Sequence, residues 1–496
     1  MKESISLFFC HCLLGGILGW FSCESQPAFF GAVAAGSFLY VLSCSLNLEK
    51  KPLFTFGFFF SFSLCQNLWM KDLSVPQDAT YLFYFGPFLT LFFSLWIAMQ
   101  SLVAVNLASS LQQKKKIFGF IGLWTLLEYH RSFFLCGYNF YTVSSFLEKF
   151  PMLDKIFAFT GVFGATLLLL LVSLLLFDNP KKRANYRALF IIVTLLFVPQ
   201  FKTTESKIRV GVVQTARDPW GMDDKLYLEK YLTWLKGVKD LDLLVFSETS
   251  LPTKYFLKYP DGMTMGELLD CYSLESAIIN LSFNKNIDVI VGHIYPGENG
   301  KHFNVATLVH KGEVVGRYDK NRLMSVMEKS WDFLPDSFKS GLGTGDFLAG
   351  KKKGLLKGKY LYGINICYDD YFGSDSNVFS KKGADLIVSI HNDIWVQNED
   401  FKTNHFRQTL LRSIETGLPS IRTANGGFSG YTLPDGEYAF FPPGEGVKTF
   451  SITLSKNLTL YPYLQDRIFV FIAFLLFIWG FREKFEKNYR MRPRRD

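Results

Sequence analysis

Two patterns of apolar and polar positions divide the chain. Residues 1 to about 200 consist of apolar stretches separated by short polar loops, whereas residues 207 to about 460 alternate short apolar runs with mixed segments. One more apolar stretch, Ile468–Phe481, lies near the end. Because a bilayer core takes roughly 20 apolar residues per helix, the outer parts predict membrane-spanning helices. The middle part predicts a globular domain.

The apolar stretches predict seven spans before the globular domain and one after it. The seven lie at about 4–22, 27–46, 52–70, 81–106, 117–137, 156–177 and 187–200. The predicted organisation is therefore a transmembrane bundle at 1–206, a globular domain at 207–460, and a C-terminal span with a basic tail at 461–496.

The cations predict how the chain lies in the membrane. They are concentrated in alternate loops, at Lys50-Lys51, Lys114–Lys116 and Lys181–Arg187, and in the tail after Phe481. Loops rich in Lys and Arg stay in the cytoplasm. Seven spans from a cytoplasmic N-terminus then put the globular domain on the outer face of the membrane. Much of the net charge of +9 therefore reflects topology, and we expect no nucleic-acid partner.

The globular part alternates strand-like and helix-like segments, which is typical of an α/β sandwich. Helices are predicted near Lys225–Lys239, Gly266–Asn284 and Asn404–Thr416. Strands are predicted at Arg209–Gln214, Leu243–Phe246, Asp288–His293, Phe303–His310, Glu313–Tyr318, Leu361–Ile366, Asp385–Ile390, Pro419–Thr423 and Phe428–Leu433.

Three residues that end or follow predicted strands have complementary chemistry. Glu248 follows Leu243–Phe246, Lys320 follows Glu313–Tyr318, and Cys367 follows Leu361–Ile366. They supply a base, a cation for a developing oxyanion, and a thiol nucleophile. The backbone N–H of Tyr368 is a candidate second oxyanion donor. The chain has 8 Cys but no CxxC pair, so we expect no metal, no cofactor and no disulfide framework.

One predicted span carries the ionisable residues Glu128, His130 and Arg131. Charges in lipid are costly and are usually paired or functional. Two interpretations stay open: a Glu128–Arg131 pair that joins helices, or a polar site near the outer surface that contacts a lipid head group.

Several motifs together resemble the nitrilase superfamily with its Glu-Lys-Cys triad. They are Gly211–Gln214, Ser247–Pro252, Tyr318–Lys320 and Ile366–Asp369. Further motifs resemble one membrane-bound family within this superfamily. They are Asp385–Ser389, His391–Trp395, His405–Pro419, Arg422–Gly427, Glu128-x-x-Arg131 and Cys136–Asn139. With the predicted spans, the chain resembles the bacterial apolipoprotein N-acyltransferase family over nearly its whole length.

The resemblance implies a helical transmembrane bundle of about eight spans in the bacterial cytoplasmic (inner) membrane. The bundle is joined to a nitrilase-like αββα sandwich, the catalytic domain, on the periplasmic face. It also implies a reaction. An acyl chain passes from a phospholipid, phosphatidylethanolamine, to Cys367 as a thioester, and then to the N-terminal amine of a diacylglyceryl-cysteine apolipoprotein. The enzyme would act as a monomer without a cofactor. A membrane-anchored amidase or nitrilase-type hydrolase, with water as acceptor, is the alternative.

Further candidate site residues flank the triad. Glu328, Tyr368 and Asp369 are predicted to orient the triad or the substrate. Trp220 and Trp395, with Trp331 and Phe333, are predicted to form an aromatic gate to the membrane. The chain departs from the family pattern at Ser325–Lys329, where Glu328 keeps the carboxylate. It also departs at Asp369, which replaces Glu, and at Val396, which replaces Gly.

Overall fold

The computed structural model describes thirteen stretches of the chain. They are residues 2–47, 52–73, 84–134, 137–148, 150, 153–178, 206–217, 224–251, 265–298, 300–324, 327–329, 347–351 and 354–490.

Long apolar helices form the membrane part of the described chain. They are α1 (Lys2–Phe21), α2 (Ala28–Asn47), α3 (Pro52–Asn67), α4 (Phe85–Ser109), α5 (Gln113–Arg131) and α6 (Phe157–Asp178). Five described segments are long and apolar enough to cross a membrane: Ala28–Leu46, Pro52–Asp72, Phe85–Ser109, Phe157–Leu174 and Tyr461–Arg482. The length and composition of these segments fit a membrane helical region. The span predicted at 187–200 lies outside the described residues, and eight spans stay a prediction.

The span predicted at 117–137 is wrong at its end, because α5 stops at Arg131. The apolar run continues through Phe133 and Phe134, which are exposed beyond the helix, so apolar composition alone overestimated its length. Within α5, Arg131 Nη2 lies 3.6 Å from Glu128 Oε1, and both side chains are buried. Glu128 also accepts hydrogen bonds from Trp124 and Thr166 and from the backbone N–H of Val143. These contacts favour the interpretation that this pair joins helices.

Two six-stranded sheets form the globular part. The first has the order β12-β1-β2-β3-β4-β5, and the second has the order β11-β10-β9-β8-β7-β6. The strands of the first sheet are β1 (Ser206–Gln214), β2 (Leu243–Phe246), β3 (Asp288–Pro296), β4 (His302–His310), β5 (Glu313–Asp319) and β12 (Gly446–Leu454). Those of the second are β6 (Leu355–Lys357), β7 (Leu361–Ile366), β8 (Leu386–Asn392), β9 (Ser420–Asn425), β10 (Ser429–Thr432) and β11 (Tyr438–Phe441).

The sheets pack face to face because alternate residues of their central strands are apolar. Val210 and Val245 of the first sheet share one buried core with Ile364 and Val388 of the second. Residues of the opposite parity, such as Leu244 and the neighbouring Phe246, pack outward against α7 (Asp224–Gly237) and α8 (Met265–Lys285). On the second sheet lie α9 (Gly373–Lys381) and α10 (Glu399–Thr416). The layers are helix, sheet, sheet, helix, which confirms the predicted α/β sandwich.

The globular and membrane parts form one packed unit. The last helix, α11 (Tyr461–Arg490), packs on α5 and α6. Tyr368 donates to the carbonyl oxygen of Gly137 at 3.1 Å, and Asn139 donates to that of Tyr371 at 2.7 Å. One apolar cluster joins Trp69 and Phe93 of the membrane part to Tyr368 and other residues that follow β7. The residues just after Cys367 therefore lie against the membrane helices.

Candidate active site

The three predicted triad residues lie at the ends of strands in the two facing sheets. Glu248 follows β2, Lys320 follows β5, and Cys367 follows β7. Cys367 has φ of 50°, in the left-handed region that residues other than glycine rarely adopt. Such strain is characteristic of functional positions. The chain leaves β7 abruptly there and continues as a short 3₁₀ turn, Cys367–Tyr371.

Lys320 lies between two carboxylates. Its Nζ is 2.9 Å from Glu248 Oε1 and 2.8 Å from Glu328 Oε2. Asn304 completes the group, since its Nδ2 donates to Glu248 Oε1 at 2.7 Å and to Glu328 Oε1 at 2.9 Å. The backbone N–H of Met324 donates to Glu328 Oε2 at 2.8 Å. The ammonium and both carboxylates are thus held in fixed positions, with Lys320 and Glu248 almost inaccessible to solvent.

Burial and charge set the protonation of these groups. Burial raises the pKa of Glu248, and the Lys320 ammonium opposes that rise. Burial lowers the pKa of Lys320, but the Glu248 and Glu328 carboxylates outweigh it and hold that pKa well above its usual value. Burial, followed by the Glu248 charge, raises the pKa of Cys367 well above its usual value. At rest the sulfur is therefore a neutral thiol beside a cation and a buried base.

Asp369 connects the turn Cys367–Tyr371, the nucleophile turn, to the segment that carries Lys320 through hydrogen bonds. Its carboxylate accepts from Tyr318 Oη and from the backbone N–H of Arg322, both at 2.9 Å. It also accepts from the backbone N–H of Ile366 at 3.1 Å. Asp369 is fully buried, and both of its carboxylate oxygens are bonded to protein groups. These contacts fit the prediction that Asp369 orients the triad, and they leave its carboxylate no free oxygen for contact with substrate.

A buried polar network lies behind Cys367. Arg422 Nη2 lies 2.8 Å from Asp393 Oδ2, and Asp393 Oδ1 lies 2.8 Å from His405 Nδ1. His405 Nε2 is 3.1 Å from His391 Nδ1, and His391 Nε2 is 3.1 Å from Asp370 Oδ2. Each of these side chains exposes at most 1% of its surface to solvent. The motifs that contain His391, Asp393, His405 and Arg422 were recognised in the sequence, but the contacts of these residues with one another and with Asp370 were not predicted.

An apolar pocket adjoins the nucleophile turn. It is lined by residues of α4 and of the loops beside the site, including Trp69, Phe93, Met324, Met327 and Tyr368. Trp395 packs against the same cluster as a partly buried side chain. Trp220, Trp331 and Phe333 lie outside the described residues, so of the predicted gate only Trp395 is seen next to the site.

Asn304 is a site residue that the sequence analysis missed. It is located on β4, where a single amide in an apolar run carries no motif. Its position becomes informative only through the pairing of β4 with β5, which brings it next to Lys320, whose backbone N–H donates to the Asn304 carbonyl oxygen at 2.9 Å.

Comparison with known proteins identifies both parts of the chain. The carbon-nitrogen hydrolase model matches residues 209–463, and the apolipoprotein N-acyltransferase N-terminal domain model matches residues 15–175. The Treponema denticola protein named apolipoprotein N-acyltransferase 1 is 24% identical over 72% of this chain and 75% of its own length. Apolipoprotein N-acyltransferase 2 of the same organism is 24% identical over 95% of this chain and 96% of its own.

Among solved structures, Saccharomyces cerevisiae Nit3, a member of branch 10 of the nitrilase superfamily, matches 58% of this chain and 96% of its own. The sequence identity is 16% and the TM-score is 0.38. The family follows from the sequence comparison, because the carbon-nitrogen hydrolase model covers more than half of the chain and includes all three triad residues. The chain belongs to the carbon-nitrogen hydrolase family, and it joins that domain to an N-terminal domain of the apolipoprotein N-acyltransferase type.

Proposed function

We propose that this chain is an apolipoprotein N-acyltransferase that works through a thioester on Cys367. The observation that carries the proposal is the contiguity of two features. Lys320 and Glu248, both buried, and the partly buried Glu328 lie beside the Cys367 turn, and an apolar pocket lined in part by the membrane helices begins at Tyr368. Acyl-transfer chemistry is thus adjacent to a lipid-facing surface.

The first half-reaction loads the enzyme. The Cys367 sulfur attacks the carbonyl carbon of an acyl ester while Glu248 accepts the thiol proton. Lys320 Nζ and the backbone N–H of Tyr368 stabilise the oxyanion. The ester C–O bond then breaks, and Glu248 returns the proton to the departing alcohol, which leaves as a lysophospholipid. The acyl chain remains on sulfur as a thioester.

The second half-reaction unloads it. The N-terminal amine of a diacylglyceryl-cysteine apolipoprotein attacks the thioester carbon, and Glu248 accepts the amine proton. The C–S bond breaks, the sulfur regains a proton from Glu248, and an amide forms. Glu328 acts through Lys320, whose ammonium it holds in place, and Asp369 acts by fixing the two backbone segments.

The acyl donor is a membrane phospholipid, and we assign phosphatidylethanolamine to this role. A two-chain lipid does not leave the bilayer readily, since exposing each CH₂ to water costs about 0.8 kcal/mol. The donor must therefore reach Cys367 from the membrane side. The apolar lining of the pocket beside Tyr368, with Trp69 and Phe93, supports this route. The enzyme needs no second copy in this scheme and is proposed to act as a monomer.

One experiment separates transfer from hydrolysis. The purified protein is incubated with phosphatidylethanolamine vesicles and a synthetic diacylglyceryl-cysteine peptide, and both products are followed by mass spectrometry. Transfer adds one acyl chain to the peptide amine. Release of free fatty acid without acylated peptide would mean that water is the acceptor and that the amidase-type alternative is correct.

We predict that the catalytic domain lies on the outer face of the cytoplasmic membrane and that both termini are cytoplasmic. The reason is the alternation of cation-rich loops along residues 1–206. Lys236→Cys, at an exposed position on α7, should react with a membrane-impermeant maleimide in intact spheroplasts, whereas Arg494→Cys in the tail should react only after lysis. The parent protein gives the background from its own cysteines. Labelling of the tail from outside would contradict the eight-span topology.

Trp395→Ala is expected to slow thioester formation from vesicle phospholipid more than from a short-chain, water-soluble ester. Trp395 packs against the apolar cluster that joins the site to the membrane helices, so its loss should affect entry of a lipid more than the chemistry. Loading rates with both donors provide the measurement. Trp234→Ala is the matched control, because Trp234 packs on the far side of the first sheet. An equal loss with both donors would mean general packing damage rather than a gate.

A further inference from the structure

Two histidines, His391 and His405, lie next to Cys367 and have no role in the proposed acyl-transfer steps. Cys367 Sγ and one ring nitrogen each of His391 and His405 all lie within 4.8 Å of one another. They come from three elements: the turn after β7, the end of β8, and α10. The two histidines are buried, whereas Cys367 is partly exposed.

The outer ring nitrogens of both histidines face carboxylates. His405 Nδ1 is 2.8 Å from Asp393 Oδ1, and His391 Nε2 is 3.1 Å from Asp370 Oδ2. A neutral imidazole carries one N–H. When each histidine donates that N–H to its carboxylate, the lone pairs of His391 Nδ1 and His405 Nε2 face each other across 3.1 Å. Two facing lone pairs need a positive charge between them.

Arg422 offers a competing arrangement. Its Nη1 lies 2.7 Å from His391 Nε2 and could donate there, which would let His391 Nδ1–H donate to His405. That same Nη1 has other acceptors, the carbonyl oxygen of His405 at 3.2 Å and Thr409 Oγ1 at 3.0 Å. Donation to Nε2 would also leave Asp370 facing a lone pair. His405 Nε2 also lies 3.4 Å from the carbonyl oxygen of Cys367. The network is thus satisfied by the Arg422 arrangement, by a hydrogen on one of the two facing nitrogens, or by a metal ion between them.

We propose that Cys367, His391 and His405 bind a soft divalent metal ion, zinc above all, and that the bound metal reversibly blocks Cys367. Thiolate and imidazole are ligands that zinc prefers. In a tetrahedral site with Zn–N bonds of about 2.0–2.1 Å, two ligating nitrogens lie about 3.3 Å apart, close to the separation of the two facing nitrogens. Asp370 and Asp393 supply the carboxylate partners that metal-bound histidines usually have.

Charge favours the same ion. The two carboxylates outnumber the single guanidinium of Arg422 in this part of the buried network. When the metal–sulfur bond forms, the thiol proton leaves, and no electron is transferred. The sulfur lone pair used by the metal is the one that attacks the acyl ester, so metal and acyl chain exclude each other. This blocking effect rests on the proposed function, whereas metal binding itself does not.

The test uses full-length protein in detergent and Co²⁺ as a spectroscopic probe for the zinc site. Wild type should bind one Co²⁺ more than Cys367→Ser and show a thiolate-to-cobalt charge-transfer band, which that variant and His405→Gln should lack. Asp393→Asn should weaken Co²⁺ binding about 10–100-fold. His293→Gln is the matched control, since His293 is a buried histidine that contacts Thr307 instead. It should bind Co²⁺ as wild type does.

Zinc should displace the cobalt, inhibit acyl transfer and protect Cys367 from alkylation, and EDTA should reverse the inhibition and the protection. Equal Co²⁺ binding by wild type and Cys367→Ser, or a spectrum without the thiolate band, would overturn the proposal and leave a metal-free hydrogen-bond arrangement as the correct one. A Cys367-dependent band in a protein that transfers no acyl chain would support the metal site and refute the proposed function. The wild-type spectrum and alkylation assay need no variant to fold.

Discussion

Cys367→Ala is expected to abolish acyl transfer and to leave the protein folded in the membrane. Incubation with phospholipid should add one acyl mass to the wild type, in a form that hydroxylamine removes, and should add none to the variant. The reason is that the thiol is the proposed nucleophile, and no neighbouring side chain in the described site can form a thioester in its place. The expected loss is complete within the limits of the assay.

Cys65→Ala is the matched control for this change. Cys65 is a partly buried free cysteine on α3, and no carboxylate–ammonium pair lies beside it in the described contacts. It should keep the wild-type rate and the wild-type acyl adduct. A Cys367→Ala protein that still acylates the peptide would rule out the thioester, whatever else the site does.

The triad was predictable because each member follows a strand that the apolar pattern reveals. Leu243–Phe246 and Leu361–Ile366 were predicted with the bounds that the structure has. Residues at the ends of buried strands of two stacked sheets converge, so Glu248 and Lys320 come into contact from positions 72 residues apart. The prediction that Glu328 lies close to Lys320 rested on their eight-residue spacing, and their ion pair agrees with it.

Other parts of the fold carry signals that the sequence pattern does not resolve. The short edge strand Leu355–Lys357 and the polar strand Gly446–Leu454 were not predicted. Gly446–Leu454 pairs along its whole length with β1. Hydrogen bonding to β1 therefore makes this segment a strand, although its own sequence has no clear alternation of apolar and polar residues. Similarly, His391 and His405 are 14 residues apart and belong to different elements, and only the packing of α10 on the second sheet brings their rings together.

Lys320→Met is the second change with a large expected effect. It should lower both the rate of acyl transfer and the stability of the fold. Acyl transfer should fall by a factor of roughly 100–1,000 or more, the scale of losing an oxyanion donor. The fold should also lose stability, because the buried Glu248 and the partly buried Glu328 would remain without the cation that lies 2.9 and 2.8 Å from them. Removing one partner of a buried ion pair typically costs about 3–5 kcal/mol. A lower thermal unfolding midpoint in detergent is the readout.

The double variant Lys320→Met/Glu328→Gln separates the two effects. Glu328→Gln removes one of the two facing negative charges, and the oxygen of the introduced amide can still accept the hydrogen bond from the backbone N–H of Met324. The unfolding midpoint should therefore recover in part, because like-charge repulsion and desolvation of the second carboxylate are relieved. Acyl transfer should not recover, since no cation faces the oxyanion. If activity returned together with stability, Lys320 would serve only to neutralise its neighbours, and the oxyanion role would pass to backbone N–H groups alone.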